Sequence, residues 1–482
     1  MKEEVVIGLE VHIQFMTKAK IFCQCSTDYL GKGPNTNVCP ICLGLPGSLP
    51  VLNKKVLEYA LRTALALNCE INQVSRFHRK NYFYPDLPKA YQISQYDWPL
   101  GFRGHLEISI PPSGVRRRIG ITRVHIEEDA GKLIHEGDIA SSTYSLVDYN
   151  RSGIPLAEIV TEPELRSPEE ARIFLMQLRS IVQHLEVCDG NMEEGSLRCD
   201  ANISIRDSQT GVLGTKTEIK NMNSFRAVKK ALEFEVERQK KLLAKGIKIV
   251  QETRHWDESK NITVSMRGKE EAQDYRYFPE PDLLPLKISP EMIEKIRRTL
   301  PELPESRKER FIKVYNLPED DAEVLISNKA LGDYFEKASA FYADKKILIN
   351  WVRGELLYNL KEKRIEVEQS PISPEKLVGL LKLIDEGVIS GKIAKTVFEK
   401  MFESGKEARE IVQEDKITQI TDQNELIKIV DRVIEENPQS VEDFNQGKEK
   451  ALHYLVGQVM RYTQGRAKPD FVSQAIKERI KN

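Results

Sequence analysis

The hydrophobic period of this chain changes once along its length, and that change bounds the folds open to it. Up to about residue 290, short stretches alternate between polar and apolar residues. In Glu10-Val11-His12-Ile13-Gln14-Phe15 the polar side chains fall on one face and the apolar ones on the other. Between Leu197 and Arg206, Leu197, Cys199, Ala201, Ile203 and Ile205 share one face, opposite Arg198, Asp200, Asn202, Ser204 and Arg206. Such alternation describes strands buried on one side only, the usual state of antiparallel sheets. Helices interrupt the strands. Ser167-Pro168-Glu169-Glu170 reads as a capping box with proline in the first turn, ahead of a stripe of Ala171, Phe174, Leu175, Leu178, Val182 and Leu185.

A proline-rich stretch (Pro279, Pro281, Pro285, Pro290, Pro301, Pro304) closes this part, and the pattern beyond it is nearly all helical. Ser373 as cap, Pro374 in the first turn and Gly387 past the end bracket one such helix. A softer boundary at Ser404-Gly405 precedes a smaller helical tail. The expectation is an α+β fold in three parts: 1–290 on a largely antiparallel sheet with helices, an all-helical part at 291–405, and a helical tail at 406–482. The length suits about three domains at roughly 150 residues each.

Lys+Arg 72 against Asp+Glu 73 leaves a net charge of -1, which excludes a uniformly basic coat for nucleic acid. The charge is uneven, however. From Gln446 to Asn482, eight basic residues (Lys448, Lys450, Arg461, Arg466, Lys468, Lys477, Arg479, Lys481) face three acidic ones, a net +5. That segment suits a phosphate backbone, and a solvated helical face would have the same composition. No apolar run approaches the ~18 residues of a membrane span, and the start is unlike a signal peptide, so a cytoplasmic protein is expected.

The common nucleotide and hydrolase motifs are missing: no G-x-x-x-x-G-K-[ST], no G-x-G-x-x-G after a strand, no G-x-S-x-G and no H-E-x-x-H. Four of the seven cysteines cluster as Cys23-x-Cys25 and Cys39-x-x-Cys42. Two short thiolate pairs on two loops can close a tetrahedron around Zn²⁺, with no position left open, so the predicted site is structural. Four free thiols are the plain alternative. Glu10 and His12 lie two apart on one strand face, Glu127, Glu128 and Asp129 close the strand Ile121–Ile126, and Glu158 stands inside Leu156-Ala157-Glu158-Ile159-Val160. Carboxylates with an imidazole suit a hard divalent ion such as Mg²⁺; scattered surface acids and a core-edge histidine suit the same spacing. Asn221-Met222-Asn223-Ser224 opens a helix whose N-terminus offers either a phosphate cradle or an ordinary cap.

Several longer stretches carry a resemblance. Val6-Ile7-Gly8-Leu9-Glu10-Val11-His12 resembles the opening of the B subunits of bacterial glutamyl/aspartyl-tRNA amidotransferases. So do Lys80-Asn81-Tyr82-Phe83-Tyr84-Pro85-Asp86-Leu87-Pro88-Lys89, Glu127-Glu128-Asp129-Ala130-Gly131-Lys132 and Met192-Glu193-Glu194-Gly195-Ser196-Leu197-Arg198-Cys199-Asp200. Asp274-Tyr275-Arg276-Tyr277-Phe278-Pro279-Glu280-Pro281-Asp282 and Leu455-Val456-Gly457-Gln458-Val459-Met460 continue the match in order to the end of the chain.

The resemblance implies a cradle-shaped, kinase-like catalytic domain, a helical domain and a tRNA-binding tail. It implies an ATP-dependent carbon–nitrogen ligase with glutamine as amido donor. The B subunit would phosphorylate the side-chain carboxylate of Glu-tRNA(Gln) or Asp-tRNA(Asn) with ATP and magnesium. Ammonia from a glutaminase A subunit would displace the phosphate, and a small C subunit would complete the heterotrimer. Implied magnesium ligands and catalytic residues are Glu10, His12, Glu127 and Glu158; implied tRNA contacts are Lys448, Lys450, Arg461, Arg466 and Lys468. No motif assigns the ATP contacts. Members of the family differ in carrying the four cysteines, which keeps zinc outside the chemistry. A non-catalytic tRNA-binding scaffold in the same complex is the competing expectation, and it needs no divalent-ion site.

Overall fold

The computed structural model describes residues 3–111, 114–135, 144–207, 211–266, 274–415, 423–463, 467 and 469–481. The chain separates into two compact units, Met1–Arg307 and Lys308–Asn482. The break in packing therefore falls beyond the proline-rich stretch at which the sequence pattern changes.

The first unit opens with β1 (Glu3–Gln14), α1 (Lys54–Ala66), β2 (Glu70–Ile71), β3 (Val74–Ser75), β4 (His78–Asn81) and β5 (Tyr91–Ser94). It continues with β6 (Gly101–Ile110), β7 (Val115–Glu128), β8 (Lys132–His135), β9 (Ser145–Asp148), β10 (Pro155–Thr161) and α2 (Pro168–His184). Then come β11 (Leu197–Asp207), β12 (Thr217–Met222), α3 (Phe225–Ala244), β13 (Glu252–Asp257), β14 (Ile262–Ser265), β15 (Phe278–Pro279), β16 (Leu286–Lys287) and α4 (Pro290–Arg298). Nine strands form one sheet in the order β14-β13-β12-β11-β1-β10-β7-β6-β2. All neighbours are antiparallel except β12 and β13, the pair that α3 connects.

The alternation read from the sequence sets the two faces of this sheet. Ile7, Leu9, Val11 and Ile13 of β1, with Leu197, Cys199, Ala201 and Ile203 of β11, are buried to 2% exposure or less. They join one core with the buried stripes of α1, α2 and α3. Each such side chain contributes roughly 1.5–3 kcal/mol relative to exposure. In α2 the whole predicted stripe, Ala171 to Leu185, is buried. Ser167 caps the helix by accepting from Glu170 N. The second arm of the predicted box differs: the Glu170 carboxylate accepts from Arg166 N at 2.8 Å and from Arg117, whose guanidinium outcompetes the cap's own N–H. At 221–224 the ordinary reading holds, since Ser224 caps α3 by accepting from Ala227 N, while Asn221 and Met222 end β12.

After α5 (Pro304–Tyr315) the second unit is helical throughout its described residues: α6 (Glu319–Ile326), α7 (Lys329–Ser339), α8 (Lys345–Trp351), a π turn at Val352–Leu356, α9 (Leu357–Lys363) and a 3-10 turn at Val367–Gln369. There follow α10 (Pro374–Asp385), α11 (Gly391–Ser404), α12 (Ala408–Glu414), α13 (Gln423–Glu436), α14 (Pro438–Asn445), α15 (Glu449–Tyr462) and α16 (Pro469–Lys481). Ser373 caps α10, and Gly387 follows its end with φ +70°. This unit has two cores, one running from Phe311 to Val412 and one from Leu426 to Ile476. No described helix of the chain is long and apolar enough to cross a membrane.

Candidate active site and metal centres

Residues directly opposite one another on antiparallel neighbours share a face of the sheet. On β1, His12 lies opposite Glu158 of β10 on one side and Arg198 of β11 on the other. Glu158 in turn lies opposite His125 of β7, and Glu127 follows two residues along on the same face. Pairing thus lines up Arg198, His12, Glu158 and His125 across four adjacent strands. His12 Nε2 is 3.2 Å from Glu127 Oε1 and 3.3 Å from Glu158 Oε2. His125 Nε2 is 3.3 Å from Glu158 Oε2 and 3.6 Å from Glu127 Oε2. Glu127, Glu158 and His125 are buried, while His12 is half-buried.

Two buried carboxylates this close need compensation. Burial alone would raise both, but His12 and His125 hold Glu127 and Glu158 well below the usual carboxylate range. Reciprocally, burial disfavours charge on His12, yet the two carboxylates lift its imidazole to about 10. Ser94 Oγ donates to Glu127 at 3.2 Å. One donor atom each from His12, Glu127 and Glu158 lies within 4.8 Å of the others. Ligand bonds of ~2.1 Å in an octahedron place adjacent donors about 3.0 Å apart, close to the His12 separations, and the two carboxylates are the hard oxygen donors that a magnesium ion takes. Binding such an ion would displace the proton from the His12 imidazole.

Glu10 stands outside that group. Its carboxylate accepts from Asn202 Nδ2 at 3.0 Å, and burial, then Glu158, Glu218 and Asp200, push it up. It borders a cavity of about 310 Å³ whose wall includes Thr161, Asn202, Ser204 and Lys216. Three features around the site were not picked out from the sequence. His125 was within reach of it, since period 2 places it beside Glu127. Lys80, half-buried on β4, has its ammonium 4.9 Å from the Tyr275 ring; burial opposes its charge, but Glu127 and Glu158 raise it. Tyr82, Tyr275, Tyr277 and Tyr96 form a chain of ring contacts, the last two stacked at 4.3 Å. Residues almost two hundred positions apart meet here, and no local pattern announces it.

The loop with Cys23 and Cys25 is closed by the bridge between Ala19 and Ser26. The sulfurs of Cys23, Cys25, Cys39 and Cys42 all lie within 4.8 Å of one another, those of Cys39 and Cys42 at 3.8 Å. Zn–S bonds of ~2.3 Å in a tetrahedron give an S···S spacing of about 3.8 Å, so the quartet fits zinc. Cys42 is drawn down to about 5, chiefly by the Cys23 hydrogen bond and further by Cys39 N–H and Lys20.

In the tail, Lys448 is exposed and pairs with Asp443 at 2.8 Å. Lys450 and Arg461 are exposed on α15, eleven residues and so about three turns apart, with Tyr454 between them; Leu452, Leu455 and Val459 bury the opposite side. Arg466 and Lys468 lie outside the described residues.

Comparison with known proteins accords with this layout. The GatB/GatE catalytic domain family matches residues 5–294, and the GatB domain family matches residues 333–480. The chain is 57% identical over 477 residues to the B subunit of the aspartyl/glutamyl-tRNA(Asn/Gln) amidotransferase of Carboxydothermus hydrogenoformans, covering 99% of this chain and 98% of that protein. It is 58% identical to the protein of the same name from Caldanaerobacter subterraneus subsp. tengcongensis, with both chains covered completely. With two family matches in order and relatives this similar from end to end, the chain belongs to the family of aspartyl/glutamyl-tRNA(Asn/Gln) amidotransferase B subunits.

Proposed function

We propose that this B subunit carries out the ATP-dependent activation step of amidation in the cytoplasm, with a glutaminase A subunit and a small C subunit as partners. The observation that carries the reading is the convergence of His12, Glu127 and Glu158, backed by His125, on the polar face of the sheet. A scaffold has no use for two charged carboxylates at such depth. The substrate is the side-chain carboxylate of Glu-tRNA(Gln) or Asp-tRNA(Asn). A carboxylate is a poor electrophile; its oxygen attacks the terminal phosphorus of ATP, ADP leaves, and ammonia then displaces phosphate from the acyl phosphate.

His12, Glu127 and Glu158 would hold magnesium, which neutralises charge on the transferring phosphoryl group when bound. Glu10, on the same strand face as His12, lines the cavity walled by Thr161, Asn202, Ser204 and Lys216. Lys80 brings a second cation to the same edge, where phosphoryl oxygens accumulate charge. The cysteine quartet would hold a structural zinc. The basic face of α15 would grip tRNA phosphates and position the substrate without taking part in the chemistry.

Reconstitution with both partner subunits, ATP and each mischarged tRNA tests this reading. Amide formation should require ATP, and hydroxylamine should trap an acyl phosphate on the tRNA-bound amino acid when ammonia is withheld. A hydroxamate that also forms in complexes lacking this chain would place the chemistry elsewhere and leave the chain a scaffold.

A further inference from the structure

Lys20 is fully buried, at 0% exposure, in the loop that carries the cysteines. Its ammonium donates to the Asn37 carbonyl at 2.9 Å and lies 3.9 Å from Cys42 Sγ. Among the described residues no carboxylate comes within 4.0 Å of it. The side chain borders a small cavity of about 60 Å³. Asn37, itself buried, donates its backbone N–H to Asn150 Oδ1 at 2.7 Å, and Gly153 (φ +81°) closes over the lysine. A Cβ at Gly153 would sit 3.5 Å from Lys20 Cδ and 3.6 Å from Cys42 Cβ. A buried ammonium with one carbonyl acceptor is costly unless an anion accompanies it. Among the described residues, the group within contact distance that can carry negative charge is Cys42 Sγ, which also receives Cys39 N–H at 3.1 Å, while Glu128 and Asp282 line the same cavity farther off. Two donors therefore face the Cys42 sulfur.

We propose that Lys20 is a built-in counter-cation of the metal–thiolate cluster: four thiolates around Zn²⁺ carry net −2, and the ammonium beside Cys42 reduces this to −1. This rests on the zinc reading above and deepens it. Lys20 is a positioning residue here, since it touches a ligand sulfur and not the ion. The arrangement makes a prediction that ordinary packing does not. With zinc bound, Lys20 supports the fold; with zinc removed, it becomes a poorly compensated buried charge.

The test compares the full-length chain with its Lys20→Met variant, which keeps the length of the side chain and removes the charge. Zinc affinity is measured by competition with a chromophoric chelator, and thermal stability is measured with and without zinc. Outer-shell partners of this kind typically carry about 10–100-fold in affinity, so a loss of that order is expected. The melting temperature of the metal-free variant should equal or exceed that of metal-free wild type, while the zinc-loaded variant falls below its counterpart. If Lys20→Met fails to fold alone, it is introduced into Cys42→Ser. There the lost thiolate strands the ammonium, and the added methionine should recover stability. Equal zinc affinity in wild type and Lys20→Met would overturn the inference and leave the zinc site standing, as would purely additive effects in the double variant. A wild-type chain that binds no zinc would instead remove the site itself.

Discussion

Glu158 sits between Ala157 and Ile159 on β10, both fully buried, and keeps its charge because His12 and His125 approach it from two neighbouring strands. Glu158→Gln preserves shape and removes that charge, which an oxygen-ligated ion needs. Amidation by the reconstituted complex should fall at least 100-fold, while tRNA affinity in a filter or anisotropy assay stays within about twofold. Amidation near the wild-type rate would take Glu158 out of the site. At this scale the sequence was informative about residue type and poor about partnership. The period-2 rule put Glu10 and His12 on one face, and the apolar flanks of Glu158 marked it as unusual. Which of these acids meet depends on register between strands more than a hundred residues apart, so Glu10 joined Asn202 while His125 joined the cluster.

At the level of elements, α2 and α3 lie in contact, and their first turns are tied by one carboxylate. Glu169 at the start of α2 pairs with Arg172 on its own helix and with Lys229 of α3 at 2.8 Å. The Arg172 hydrogen bond first, and then Lys229, hold it at about 2 against an ordinary 4.5. The folded-state value is depressed, so its stabilisation is complete above pH 4.5 and is lost as pH falls from 4.5 towards 2. Glu169→Gln should cost about 0.5 kcal/mol at pH 7, as befits a partly exposed pair. Denaturant midpoints for wild type and variant should converge at the acid end of that window, and a gap that persists below pH 2 would show that the loss is not electrostatic. Helix ends were the most legible elements in the sequence because caps are local: Ser167, Ser224 and Ser373 all accept from the third residue on. The tyrosine chain was illegible for the converse reason. Its members come from the residues just after β4, those just after β5 and the segment at 274–277, which meet only when the sheet order is known.

For the whole molecule, two units with separate cores imply separate responses. Stripping zinc should lower the melting transition of Met1–Arg307, where the cysteine loops reside, and leave that of Lys308–Asn482 within a degree or two, as resolved by calorimetry. A single transition shifted as one would contradict that independence. The tail belongs to this scale too, because its charge opposes that of the remaining chain. Replacing Lys450 and Arg461 together with glutamate should weaken tRNA binding and flatten its dependence on salt by about two phosphate contacts, while ATP-dependent chemistry on saturating tRNA persists. Unchanged affinity across a salt series would dismiss this face of α15.

One consequence of the sheet order concerns the time at which the protein becomes itself. β1 is the first of these strands to be made, yet it lies in the interior of the sheet, between β10 and β11. Its neighbours arrive only after some 150 to 200 further residues have been synthesised. Until then the apolar row of Ile7, Leu9, Val11 and Ile13 has no sheet to enter and both edges of the strand are bare, the condition in which chains aggregate. Such long-range closure also makes folding slow. His12 waits with the strand, so the nascent chain holds no assembled site before Pro155–Thr161 has emerged. This topology leaves the apolar row of β1 uncovered until its partners are made, and it ensures that no truncated product short of Pro155–Thr161 can carry the assembled cluster of His12, Glu127 and Glu158.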